Sequence, residues 1–155
     1  MCDSNIGNTS MAIEFSWHIP NQVILARISG ITDGDDLRKG QDTVEPWMNA
    51  SSAKLVHVIF DCTQMKRIAF SVSQELSTLK YLRHEKMGGF VVVGLPSTQR
   101  AIANLMGGMI NRMTRAKFSS VRDMETAMLT IRKLDPSVPN IIPTQAKPAT
   151  EPRKP

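Results

Sequence analysis

The chain has 155 residues, of which 41% are hydrophobic, and its 19 basic and 14 acidic side chains give a net charge of +5. That length fits one domain burying roughly two thirds of the surface its unfolded chain exposes. Two cysteines, Cys2 and Cys62, exclude a disulfide framework and favour a reducing compartment, so a cytoplasmic location is expected. Residues 1–20 lack the charged start and apolar core of a signal peptide, and no window approaches the ~18 apolar residues of a spanning helix, so no membrane insertion is expected.

Residues 1–11 are polar and read as a disordered lead. From Ile13, apolar residues alternate with polar ones through Phe15 and Trp17, the period of a half-buried strand. Pro20 and Asn21 mark a turn, and residues 22–29 (QVILARIS) form a second strand, paired with the first as a hairpin and closed by Gly30. An exposed Trp17 edge is a template for pairing with a second copy, which would give a homodimer. Thr32 and Asp35 resemble a capping box that opens a helix with Leu37, Val44 and Met48 on its inner face. Pro46 is expected to kink or end that helix near Glu45.

Residues 55–60 (LVHVIF) and 90–93 (FVVV) are near-continuous apolar runs, as expected of parallel strands covered on both faces. Between them, Val72, Leu76, Leu79 and Leu82 keep helical spacing and predict a crossover helix capped by Ser71 or Ser73. A longer helix, about 98–116, carries Ile102, Leu105, Met106, Met109, Ile110 and Met113 at one helical period, expected as a full stripe against the sheet. Gly107 and Gly108 interrupt it, consistent with close backbone approach to a strand. Residues 117–121 (KFSSV) read as a fifth strand or a linker, and residues 122–134 as a closing helix with Met124, Ala127, Met128 and Ile131 inward. Six of the nine prolines lie beyond Leu134, so residues 135–155 read as a disordered or polyproline-like tail. The expected fold is one α/β domain over residues 12–134. Its sheet is mixed, mostly parallel, with four to five strands and an N-terminal hairpin, packed by about four helices.

Ligand-facing residues in such a sheet lie beyond the carboxyl ends of the parallel strands, here Asp61, Cys62 and Thr63, then residues 94–98 with Ser97 and Thr98. The segment GLPSTQR lacks the glycines of a dinucleotide or phosphate loop, and Ser97 reads most simply as an N-cap. A nucleophilic site would need Cys62 with His57 or His84. However, His57 lies mid-strand, His84 sits in a charged stretch, and Cys62 reads as a small buried hydrophobe. No catalysis, metal or cofactor is expected. Charge is uneven: residues 1–63 net −4, residues 64–134 net +8 and the remainder +1. Nucleic-acid binding through the basic half ranks last, because its cations are spread over several helices and aromatics are scarce.

With this order laid out, residues 13–134 resemble the STAS or SpoIIAA-like family of anti-sigma factor antagonists. The matching pieces are VILARISGIT ending the hairpin, VHVIFDCTQ, FVVVGLP and FSSVRDMETAMLTI. The resemblance implies a non-catalytic module of bacterial signalling. Its protein partner would be an anti-sigma factor, a kinase or a component of a sensory complex, bound through Asp61, Thr63, Ser71 and Ser73. Regulated members carry a phosphorylated serine at the start of the crossover helix, and Ser71 in IAFSVSQ is the nearest match, without the family's following glycine. The alternative is a small apolar-ligand or lipid-binding domain, in which Met106, Met109, Met113, Met124 and Met128 line an adaptable cavity.

Overall fold

A computed structural model describes residues 13–69 and 79–140. Its elements in chain order are β1 (Ile13–Ile19), β2 (Val23–Asp33), α1 (Gly34–Ala50), β3 (Val56–Ala69), a 3-10 turn (Lys80–Arg83), β4 (Met87–Val93), α2 (Ser97–Met113), β5 (Lys117–Val121) and α3 (Met124–Leu134). The five strands lie in sequence order, with β1 antiparallel to β2 and every later pair parallel. The hairpin turns at Asn21, whose φ of 64° is one that asparagine tolerates.

The runs in β3 and β4 are apolar on both sides because helices cover both faces of the sheet. Val56, Val58, Phe60 and Cys62 point to a cluster with Leu37, Val44 and Met48 of α1, Ile110 of α2, and Leu79, Tyr81 and Leu82 at the 3-10 turn. Ile59, Val91 and Val93 point the other way, onto Ala127, Met128 and Ile131 of α3. Trp17 stacks on Trp47 of α1 at 5.3 Å, so edge strand β1 is tied to the helix beside it.

Several boundaries differ from expectation for identifiable reasons. Gly30 does not close β2; with φ of 64° it lies inside the strand, which continues to Asp33 and pairs with Gln64–Ala69 of β3 through two register shifts. The capping box of α1 uses Asp33 and Asp36, one residue later than Thr32 and Asp35, and Thr32 is buried instead. Pro46 does not end α1, which runs to Ala50; Asp42, whose carbonyl the missing Pro46 N–H would have met, is exposed. Residues 117–121 are a strand, not a linker. Past Leu134 the chain stays packed for several residues, with Val138 buried against the α3 face. The predicted crossover helix falls largely on residues 70–78, outside the described residues, and the part inside them is the 3-10 turn.

Candidate functional site

Asp61, Cys62 and Thr63, expected beyond the carboxyl end of β3, lie inside it, because the strand runs on to Ala69; there, at the register shift against β2, Asp61 and Thr63 come together. Asp61 Oδ1 accepts hydrogen bonds from the Thr63 backbone N–H at 3.0 Å and from its hydroxyl at 2.7 Å, which fixes the bend. Gly94, at the end of β4 with φ of 82°, closes the contact: a Cβ there would stand 2.5 Å from the Thr63 methyl. Asp61 lies in register with Arg27 of β2, which lies in register with Glu14 of β1, making an acid, base, acid row across three strands. These three, with Ser29, Thr63 and Gln64, line a groove of about 770 Å³.

The groove holds no activated nucleophile. Cys62 points to the opposite face, and burial, with the Asp61 charge adding to it, pushes its thiol up to about 12. His57 is fully buried: its Nδ1 accepts the Gly89 N–H at 2.7 Å, so Nε2 carries the proton and donates to Asp135 at 3.0 Å. Burial lowers the His57 pKa, and the Asp135 carboxylate only partly offsets this. His84 is half-buried, with Nε2 at 2.7 Å from the Asn49 amide oxygen. Cys62 and His57 lie five residues apart on β3 and His84 follows the 3-10 turn, each engaged in its own local contacts. Among the described residues no three His, Cys, Asp or Glu side chains gather as metal ligands.

Ser97 does not cap α2; Pro96 holds the N-cap position, no side chain caps that end, and Ser97 and Thr98 are the first two helical residues, both exposed. Ser71 and Ser73 lie outside the described residues. The main departure from expectation is α2 itself. Ala103, Gly107 and Ile110 face the sheet, with the Gly107 Cα against Phe118 of β5, where a Cβ would stand 2.5 Å from the ring. Ile102, Leu105, Met109 and Met113 are 58, 83, 49 and 55% exposed. The seventeen-residue helix thus turns a flank of its apolar stripe to solvent. Of the two adjacent glycines only Gly107 meets a neighbour, which sets the face that α2 turns to the sheet.

No family model and no curated protein matches the sequence. Among solved structures, the fold matches an uncharacterised DUF3478-family protein with a SpoIIAA-like fold from Shewanella loihica PV-4. The TM-score is 0.55 at 12% identity, covering 77% of this chain and 92% of that one. The anti-sigma factor antagonist SpoIIAA in its unphosphorylated form gives 0.48 at 10% identity over 77% of this chain and 96% of its own. The Bacillus cell fate determinant SpoIIAA in its phosphorylated form gives 0.45 at 12% over 78% and 100%. The chain has a SpoIIAA-like, or STAS-like, α/β fold. Among the described residues no helix is long and apolar enough to cross a membrane.

Proposed function

We propose that the protein is a non-catalytic, cytoplasmic regulatory module that works by binding another protein, in the manner of STAS domains. The observation that carries this reading is the exposed α2 flank: four large apolar side chains in one row exceed the scattered apolar exposure that a surface needs no partner to explain. The Asp61–Thr63 groove, lined by the Glu14, Arg27 and Asp61 row and by Ile13, Phe15 and Ile28, offers a second surface. An anti-sigma factor, a related kinase or a sensory-complex component is the partner class that the resemblance implies, with Ser71 as its phosphorylation point. A homodimer through the β1 edge is compatible with this reading. The apolar-ligand alternative is not favoured, because Met109 and Met113, two of its proposed cavity residues, stand in solvent.

The test is affinity capture from native lysate with the full chain and with Leu105→Gln/Met109→Gln as the paired bait. A regulatory protein held by the wild-type chain and lost by the double variant is the expected result; no protein held by the wild-type chain contradicts the module. Ser71→Asp should weaken capture about tenfold if a dianion at that position is the switch, and equal capture removes the switch.

A further inference from the structure

The outer flank of α2 has a chemical character that narrows its partner, a step that rests on the protein-binding reading above. Successive residues on an α-helix are about 100° apart, so Ile102, Leu105, Met109 and Met113 form one ridge turned about 120° from Ala103, Gly107 and Ile110. The ridge covers eleven residue steps, about 16 Å or three turns, the length over which one helix packs along another. Two of its four side chains are methionines, whose flexible thioethers adapt to varied apolar partners.

Charge supplies the second half of the argument. From Gly94 to Arg122 the chain holds Arg100, Arg112, Arg115, Lys117 and Arg122 and no acidic residue. Among the described residues these five make no ion pair, and Arg112, Arg115 and Lys117, at the carboxyl end of the ridge, are exposed. An apolar ridge rimmed by unpaired cations is complementary to an apolar face rimmed by carboxylates. A second copy docking this flank on itself would bring no carboxylate to the rim, since residues 94–122 hold none. A nucleic-acid backbone would satisfy the cations and leave the Leu and Met ridge without an apolar counterpart.

We propose that the outer flank of α2 is the docking face for an acidic amphipathic helix of a partner protein, its apolar residues against Ile102, Leu105, Met109 and Met113 and its carboxylates against the Arg112–Lys117 rim.

The test is selection from a random peptide library with the immobilised full chain, counter-selected on Leu105→Gln/Met109→Gln. Glutamine keeps helix propensity, and the double variant is first checked for an unchanged unfolding midpoint. Survivors enriched in Asp and Glu, with apolar residues at i, i+3 or i+4 and i+7, are the expected result. A synthesised survivor should lose about tenfold in affinity against the double variant, as expected for two contacts at the centre of an interface. It should also weaken as salt is raised. Survivors that need the ridge but carry no acidic excess overturn the proposal while leaving the protein-binding reading intact. Survivors indifferent to the double substitution place binding elsewhere and overturn it too. Recovery of no peptide at all overturns the proposal as well, and the protein-binding reading falls with it only if the lysate capture also holds no protein. A short duplex DNA bound more tightly than every survivor, with steep salt dependence, assigns the face to nucleic acid and also overturns it.

Discussion

Helices α3 and α2 pack on opposite faces of the same sheet and use their sequences differently. In its eleven residues, α3 buries Ala127, Met128 and Ile131 and opens on an Asp123 cap whose carboxylate accepts the Thr126 N–H at 2.8 Å. In its seventeen residues, α2 has no side-chain cap, meets the sheet through Ala103, Gly107 and Ile110, and leaves Ile102, Leu105, Met109 and Met113 about half or more exposed. The short helix buries one apolar face and leaves only Leu129 and Leu134, five positions apart, 49 and 42% exposed, whereas the long one turns a continuous ridge of four large apolar side chains to solvent. Hydrophobic periodicity alone does not distinguish the two uses, because it reports which residues share a face and not whether that face is covered.

The largest effect expected from this contrast comes from truncating one side chain on each helix. Ile131→Ala removes a fully buried side chain and should cost about 3 kcal/mol. Leu105→Ala should cost under about 0.5 kcal/mol in the same urea titration. Comparable losses at the two sites would erase the distinction.

A finer probe uses the adjacent glycines of α2. Gly107→Ala drives a methyl into Phe118, which is itself stacked on Phe90 at 5.9 Å and so not free to retreat. It should destabilise by about 1–2 kcal/mol. Gly108→Ala meets open space and should stabilise by about 0.5–1 kcal/mol through helix propensity alone. Equal shifts in thermal midpoint for the two variants would contradict the orientation of the helix.

The smallest effect concerns the junction at the end of α3. His57 is held below the ordinary histidine value of 6.5, burial being the main cause, and its Nδ1 accepts the Gly89 N–H, a bond that protonation breaks. The unfolded chain therefore takes up the proton more readily than the folded one. Stability from this group is present above about pH 6.5 and is lost as pH falls through that value toward the folded pKa. His18 is lowered too, by burial and then by Arg27, and contributes in the same window. The Asp135 carboxyl is raised by burial, but hydrogen bonds from Ser137 and His57 outweigh this and hold it below the usual range, so its loss comes at more acid pH. His57→Gln should flatten the stability profile between pH 7.5 and 5.5 without levelling it; an unchanged slope would show that His57 does not titrate on unfolding.

The covered part of the sheet was legible in the sequence because a parallel strand buried on both faces must be apolar at successive positions, as in Val56–Phe60 and Phe90–Val93. The second half of β3 was not, since among the described residues Gln64–Ala69 pairs with the end of β2 alone, a position that does not demand apolar residues in succession. The capping box was offset by one because Thr32–Asp35 and Asp33–Asp36 both satisfy the residue pattern, and the burial of Thr32 selects the second. At the site, Asp61 and Thr63 were singled out as strand-end residues, but β3 runs on to Ala69 and they lie inside it; their shared hydrogen bonds follow from a two-residue spacing open to any Asp. The missing clue for α2 was three-dimensional. Gly107 packs against Phe118 of an edge strand, and that contact rotates the helix so that Leu105 and Met109 face away from the sheet.

The central claim, that the α2 ridge is surface held for a partner and not core, is tested most directly by equilibrium urea unfolding of the full chain carrying Leu105→Gln and Met109→Gln. A midpoint within about 0.5 kcal/mol of wild type, with unchanged slope, is the expected result. A loss of about 3 kcal/mol or more would show that the chain itself covers the ridge, and the claim would fall.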